Sequence, residues 1–432
     1  MSTTSLQRGL EAWKEEMDAP LAAFFSSCVH CGICAEACLF YTETGDPKYT
    51  PIHKLEPLRR FWHQEFTLFG RLLKMVGLSK EITDAELAAW EPLVYDSCTL
   101  CGRCSQACPM GNDITYMIRK MREGFAASGH VPPGMVGAAG RAVRIGSPMG
   151  VKLSALQAQI GHIEQESGLK IPVDVQGADY MALLSSMEIM NFPEYLEALA
   201  RIFEQAGVSW TLCSEAFEAT NSGVQVGSKD IARELLQRVV DGAEKLGVKC
   251  VISPECGHAY YALRWEGPNL IGRTYTFQVL HILELLDQLR GEGRLKVEGQ
   301  FEELLTFHDP CQIVRKGGVL AEPRNLLALI SDNYVEMPDS REFNWCCGGG
   351  GGVSSNERAE ALRLKVFARK KRQLDATQAE TLVTACANCR LMLEEGLEEY
   401  GMELPVTGLT EMIAEKLASS SAEGRGERTE ER

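Results

Sequence analysis

Five cysteines toward the C-terminal end of this 432-residue chain have the types and spacing to do redox chemistry. His308-Asp309-Pro310 leads into Cys311; the doublet Cys346-Cys347 comes 34 residues later and runs straight into Gly348–Gly352; Cys386-Ala387-Asn388-Cys389 follows after 38 more. Adjacent cysteines are poorly placed to bridge each other. Two thiolates aimed at one point beside bare glycine backbone suit a sulfur-rich cluster pressed against the main chain. Buried apolar cysteine would explain any one of them, but clustered cysteines in an intracellular chain are usually metal-binding or catalytic. His308 is a candidate proton donor beside them, because an unperturbed imidazole titrates near about pH 6.5, which suits protonating a leaving thiolate. A loop histidine capping backbone is its plainer role.

Two further motifs lie near the N-terminus. Cys28-Val-His-Cys31-Gly-Ile-Cys34-Ala-Glu-Ala-Cys38 and Cys98-Thr-Leu-Cys101-Gly-Arg-Cys104-Ser-Gln-Ala-Cys108 are both CxxCxxCxxxC. That is the bacterial ferredoxin spacing, in which three close thiolates wrap one iron–sulfur cube and the fourth reaches over to the other. Carried over, one cube is held by Cys28, Cys31, Cys34 and Cys108, the other by Cys98, Cys101, Cys104 and Cys38. Zinc sites pair two CxxC units and have no use for the extra thiolates. Leu39 replaces the proline usual after the fourth cysteine, which shapes the turn rather than ligating.

The C…CCG…CxxC stretch resembles the CCG, or cysteine-rich, domain of heterodisulfide reductase, a module that holds an unusual non-cubane [4Fe–4S] centre able to cleave disulfides. The resemblance implies that Cys311, Cys346, Cys347, Cys386 and Cys389 are its ligands here. With the two cubane motifs ahead of it, the whole resembles heterodisulfide-reductase-like iron–sulfur subunits of the HdrD/DsrK type.

Composition narrows the setting. The formal charge of −15 and pI near 5.2 argue against nucleic-acid binding, since no basic face could neutralise phosphates. No apolar run approaches the roughly 18 residues needed to cross a bilayer, and the charged N-terminus lacks a signal-peptide core, so a cytoplasmic protein is expected. Sixteen cysteines there point to metal or redox chemistry rather than disulfides. The glycine run is no phosphate cradle, as no Gly-Lys-Ser/Thr follows it.

The elements that must position these residues divide the chain. The 59 residues between Cys38 and Cys98 have helical periodicity and are too many for a compact βαβ-type ferredoxin, so an all-helical ferredoxin domain fits. Within them Leu55, Leu58, Trp62, Phe66, Phe69, Leu73 and Val76 draw an apolar stripe along a helix, widened by Phe61, Leu68, Leu72 and Met75. Lys54, Arg59, Arg60, Arg71 and Lys74 outnumber Glu56 and Glu65 on the polar side. Domain core is the commoner role for such a stripe; a docking face is the alternative. Helix formers continue from Asp113 to about Gly129, and Val131-Pro-Pro-Gly134 with glycines at 137, 140, 146 and 150 reads as an irregular connection.

From Asp179 short apolar runs alternate with helical patterns, the sign of a mostly parallel sheet, and the order repeats. The first copy has Met181–Leu184, Pro193–Ala206, Val208–Leu212, Asp230–Leu246 and Lys249–Ile252; the second has Leu304–Phe307, Pro323–Ile330, Asn333–Glu336, Glu357–Leu374 and Thr381–Ala385. Where the second copy carries its cysteines, the first has Ser185-Ser186, Cys213-Ser214 and Glu255-Cys256-Gly257-His258. Two thiolates cannot hold a four-iron cluster, so this copy is expected to be a scaffold, with Glu255–His258 a second candidate source of protons. Cys250, inside an apparent strand, reads as core.

The expected fold is thus α+β and multidomain: a helical ferredoxin domain with two [4Fe–4S] motifs (1–175), a degenerate α/β CCG unit (176–300), an intact one (301–418) and a disordered tail (419–432). The resemblance implies an oxidoreductase that passes electrons through two cubanes to a CCG centre acting on a disulfide- or trisulfide-type substrate. It further implies electrons from a quinol-linked haem-b membrane subunit or another redox subunit, a thiol pair or small sulfur-carrier protein as substrate, and a place on the inner face of the membrane. Two other readings share the layout: the iron–sulfur subunit of a glycolate- or lactate-type oxidase, and an electron-transfer adaptor without its own substrate.

Overall fold

A computed structural model describes residues 4–219 and 221–418; the tail from 419 lies outside the described residues. The chain is mainly helical as far as Ser167 and then builds two parallel four-stranded sheets. In the helical part Asp113 caps the helix Ile114–Ser128 by accepting from the Tyr116 N–H, and Gly129 ends it with φ 84°. That helix packs along Ser5–Glu16, where buried Trp13 donates to the Met121 carbonyl at 2.9 Å.

The apolar stripe does not lie on one helix. It breaks at Thr67, whose hydroxyl accepts from the Gly70 N–H and starts a second helix, Leu68–Met75, after Glu56–Phe66. Leu55, Leu58, Phe61 and Trp62 are core, whereas Leu68, Phe69, Leu72, Met75 and Val76 are exposed, Leu68 at 88%. Core and free apolar face are both present, on different sides of one turn. Lys54, read from sequence as part of the polar side, is buried.

The stretch expected to be an irregular connection is instead a helix, Pro133–Ile145. Gly134 is there for packing: a Cβ on it would stand 2.1 Å from the Ser355 carbonyl oxygen. Punctuating residues mark close approach here rather than a break.

The first sheet contains β1 (Tyr180–Ala182), β2 (Trp210–Thr211), β3 (Cys250–Ser253) and β4 (Gln278–His281) in the order β2-β1-β3-β4. The second contains β5 (Leu305–His308), β6 (Tyr334–Val335), β7 (Thr381–Thr384) and β8 (Val406–Gly408) in the order β6-β5-β7-β8. Every pairing between these strands is parallel, so helices cross over between them, and the two orders are the same. The edge strands β4 and β8 escaped the sequence reading, and the helix expected over Glu357–Leu374 divides into Glu360–Val366 and Ala368–Asp375. One continuous apolar core joins both sheets and takes in Leu156, Ile160 and Ile163 of the helix Leu153–Ser167. Cys250 lies in it, within β3.

In open parallel sheets, functional groups gather at the carboxyl ends of the strands where the order reverses. In the second sheet that point lies between β5 and β7, and there His308 ends β5, Cys311 follows it and Cys386 follows β7.

Candidate metal centres

The structure gathers thirteen of the cysteines into three groups. The outer one lines a cavity with Cys28, Cys31, Cys34 and Cys108, together with Phe25, Leu55 and Met117. Cys31 is exposed, as are Val29 and Met110 on the rim. The inner one lines a second cavity with Cys38, Cys98, Cys101 and Cys104, walled by Phe40, Leu100 and Ile118. Each cavity draws three cysteines from one motif and one from the other, and Ile114 lines both.

The third group comprises Cys311, Cys346, Cys347, Cys386 and Cys389, all buried. The five thiols form a chain of donors and acceptors in which Cys311 donates to Cys346, Cys346 to Cys347, and Cys389 to both Cys347 and Cys386. Receiving two of these pulls the Cys347 thiol well below its ordinary range, and the bond from Cys389 brings Cys386 down to about 7. Thiolate character is therefore built into the doublet and Cys386, while their donors Cys389 and Cys311 are pushed up.

The inner and third groups are in direct contact. Cys101 also hydrogen-bonds to Cys346, and the Cys346 thiol reaches Thr99 Oγ1 at 3.3 Å. The backbone of the inner motif is held by the second sheet's loops: Gln312 donates to the Leu100 carbonyl at 2.8 Å and Arg315 to the Cys101 carbonyl at 2.9 Å. Fully buried Arg122 donates to the carbonyls of Cys98 (2.9 Å), Val94 (2.9 Å), Gln225 (2.8 Å) and Gly351 (2.7 Å), tying the inner motif to both α/β units.

The glycine run owes its composition to this junction. A Cβ on Gly350 would lie 2.9 Å from the Thr99 carbonyl oxygen and 3.0 Å from the His258 ring, and one on Gly351 would lie 2.7 Å from the Thr99 carbonyl carbon. Gly351 also has φ 63° and donates its N–H to His258 Nε2 at 3.2 Å. Only bare backbone lets the inner motif approach the doublet this closely.

The donor set and its surroundings fit iron–sulfur clusters. Burial and neighbouring thiols push Cys34 up to about 11 and Cys104 well above its usual range, so these groups need a metal among them to ionise. Lys54, buried, donates to the Ser97 carbonyl and stands 3.9 Å from Cys38 Sγ. Among the described residues Lys54, Arg122 and Arg315 form no ion pair with a carboxylate. Buried cations without counter-ions are costly unless an anionic group lies beside them.

His308 is not a loop residue. It is buried at the end of β5, a ring nitrogen lies within 4.8 Å of the Cys347 and Cys389 sulfurs, and neither ring nitrogen has a hydrogen-bond partner. Burial, reinforced by the Lys370 ammonium, holds its pKa well below the ordinary value, so the ring is neutral rather than a stored proton. His258 is likewise pushed down to about 4, mainly by burial, and accepts a hydrogen bond. In the first unit Cys213 packs in the apolar core near Gly242, whereas Cys256 faces Cys386 and the Glu255 carbonyl accepts from the Ala387 N–H at 2.8 Å. The loops after the first sheet's strands thus close over the second sheet's cysteines. Thr99, Arg122, Gln312 and Arg315 were missed from sequence, where nothing but proximity to a motif could have marked them.

Residues 27–113 match the family model of the 4Fe-4S dicluster domain, and 305–394 that of the cysteine-rich domain, CCG. The chain is 26% identical, over 98% of its length and 85% of the relative's, to the Hdr-like menaquinol oxidoreductase iron-sulfur subunit 2 of Archaeoglobus fulgidus. It is 28% identical, over 92% of its length and 95% of the relative's, to one of the subunits of the dihydromethanophenazine:CoB--CoM heterodisulfide reductase of Methanosarcina barkeri. An EtfAB:quinone oxidoreductase of Syntrophomonas wolfei is 28% identical over 89% of this chain and 56% of its own. Among solved structures a glutamate racemase from Bacillus anthracis aligns over 55% of this chain and 79% of its own at 13% identity, with a TM-score of 0.27 that carries no weight. Over most of its length the chain is thus similar to heterodisulfide-reductase-like iron–sulfur subunits, and it carries a 4Fe-4S dicluster domain and a cysteine-rich CCG domain.

Proposed function

We propose that this chain is the electron-relaying and substrate-converting subunit of a membrane-associated redox complex. In this reading Cys28, Cys31, Cys34 and Cys108 hold an outer [4Fe–4S] cluster, Cys38, Cys98, Cys101 and Cys104 an inner one, and Cys311, Cys346, Cys347, Cys386 and Cys389 a third, of the CCG type. Bound there, the clusters supply one-electron carriers and, at the CCG site, a centre able to exchange two electrons with a disulfide- or trisulfide-type substrate. Reduction of a disulfide consumes two electrons and two protons and releases two thiols; the reverse forms the disulfide. The observation that supports the reading most is the 3.3 Å hydrogen bond from the Cys346 thiol to Thr99 Oγ1, between Cys98 and Cys101, which brings the inner group into contact with the CCG group and leaves the outer group at the surface.

The chain's own residues set the conditions. Arg122, Gln312 and Arg315 fix the inner motif against the CCG loops, and the glycine run keeps the gap small. Neutral His308 offers a ring nitrogen beside the Cys347 and Cys389 sulfurs as a further ligand and holds no proton to give, so the protons come with the substrate or from solvent. The relatives' names pair such chains with menaquinol or dihydromethanophenazine, and we carry over a quinol-class donor acting through a haem-b or other membrane subunit. No described helix is long and apolar enough to cross a membrane, and the reading places this chain peripherally, on the inner face. The match to a quinone oxidoreductase favours one second reading, a relay with no disulfide substrate of its own.

The test is anaerobic isolation, metal analysis and electron paramagnetic resonance with and without a disulfide. About 12 irons per chain are expected, with one signal that changes on adding substrate and disappears in Cys346→Ser while the other two persist. A preparation that cannot be reconstituted above about 8 irons removes the third cluster. Full iron with no substrate-dependent change leaves the relay reading.

A further inference from the structure

The helix Ala368–Asp375 carries Lys370, 1% exposed, against the loop that leads into Cys346 and Cys347. Its ammonium donates to Asn344 Oδ1 at 3.1 Å and Gln373 Oε1 at 2.6 Å and approaches Met337 Sδ at 3.8 Å, all neutral groups. Among the described residues it forms no ion pair. The charges that act on it are those of Cys347, Asp309, Cys346 and Cys389. Asp309 is already engaged by both terminal nitrogens of Arg324, which leaves the cysteine sulfurs as the counter-charge. An ammonium is retained in such a place only if something anionic lies beside it.

Lys370 is also built into the loop that delivers the doublet. Asn344, which accepts its hydrogen bond, donates from its amide to the Asp309 carbonyl and accepts at its backbone oxygen from Arg315. The ammonium and the doublet therefore hold fixed positions relative to each other. The outer site has no counterpart. Its lining cation, Arg59, is paired with Glu56 through two hydrogen bonds at 2.9 and 3.0 Å, and its rim is open to water.

We infer that Lys370 is the fixed counter-ion of the five-cysteine centre and holds its reduction potential up, so that electrons arriving through the dicluster domain collect at the CCG site. A nearby positive charge stabilises the more negative, reduced state, and it does so more strongly in the low dielectric of a buried site than at a solvated one. The unpaired cations beside the inner group, Lys54, Arg122 and Arg315, continue the same trend inward from the surface. The inference rests on the proposed three-cluster reading and adds to it where the electrons rest: at the CCG site rather than in the dicluster domain.

The experiment is a redox titration of the intact protein followed by electron paramagnetic resonance, on wild type, Lys370→Met and Lys370→Arg. Methionine keeps the length of the side chain and removes the charge; arginine keeps the charge. In Lys370→Met the midpoint of the CCG signal should move to lower potential with both dicluster midpoints unchanged, and Lys370→Arg should stay near wild type. A Lys370→Met protein that loses only the CCG signal, restored in Lys370→Arg, also supports the counter-ion role. An unmoved CCG midpoint in Lys370→Met, a common shift of all three signals, or the same behaviour in both variants overturns it. Wild type with no CCG signal refutes the three-cluster reading itself, which separates that failure from failure of the lysine's role.

Discussion

The side chains at the centre of this protein show how far environment can override residue type. A histidine next to a cysteine motif suggests an acid near neutrality, yet burial and Lys370 keep His308 uncharged. Carboxylates behave in the opposite sense. Glu218, whose side chain accepts from the Ser186 N–H at 3.0 Å, is held up to about 7 by burial, against an ordinary value of 4.5. In the folded state it keeps its proton while the unfolded chain releases one above pH 4.5, so stability falls as pH rises from 4.5 to about 7 and is level beyond. Glu218→Gln should therefore raise the thermal midpoint at pH 8, by the equivalent of up to about 3 kcal/mol, and change nothing below about pH 4.5. An equal effect at both pH values in thermal scans would show that the carboxyl is not neutral in the fold. Gly351 gives a steric counterpart. Alanine there meets both a positive φ of 63° and the Thr99 carbonyl, and should cost about 2–3 kcal/mol or more, with loss of the CCG signal before either dicluster signal.

At the scale of elements, the two helices on either side of Thr67 divide one apolar stripe between packing and display. Trp62 stacks on Phe25 with ring centroids 5.5 Å apart, inside the helical core. Trp62→Glu should cost at least about 3–5 kcal/mol and yield insoluble or cluster-free protein. Phe69, 70% exposed, and Leu72 lie on Leu68–Met75, where Arg71 and Lys74 flank the apolar face. On the proposed membrane-associated reading, Phe69→Glu with Leu72→Glu should leave every cluster assembled and release the protein from membranes or a membrane subunit in a flotation or pull-down assay. Retention of binding by the double variant would move the docking face to the rim of the outer site, around Val29 and Met110. The stripe's periodicity looked continuous because steps of three and four can run through a helix–turn–helix corner when the turn residue is itself a good cap.

The molecule as a whole places its cysteines in series. One group opens to the surface, the next is walled by Phe40, Leu100 and Ile118, and the third is sealed beneath loops from both sheets. The repeated α/β unit supplies two sheets of identical strand order, only one of which carries the five-cysteine group. The first copy contributes cover: the Glu255 carbonyl caps Ala387, His258 accepts from Gly351, and Cys256 meets Cys386. If that copy only covers, Cys213→Ser should leave all three resonance signals intact, because Cys213 packs in the apolar core away from the site. Loss of the CCG signal in that variant would make the first unit a ligand donor.

What the sequence determined by itself was local chemistry and order. Cysteine spacing, the glycine run, and the alternation of apolar and helical segments are properties of neighbouring residues, and they were enough to find the two cluster motifs, the CCG pattern and the doubled α/β unit. Short edge strands such as Val406–Gly408 were not legible, because three residues carry too little periodicity, and the helix Pro133–Ile145 was hidden by its glycines, of which Gly134 serves close packing. Only the tertiary structure decided which cysteine group touches which, why the glycines must be bare, and that Arg122, Lys54 and Lys370 stand as buried charges beside sulfur. Those outcomes depend on contacts between residues tens to hundreds of positions apart, as Arg122 is from Gly351, and on burial, which alters a side chain's charge without altering its name.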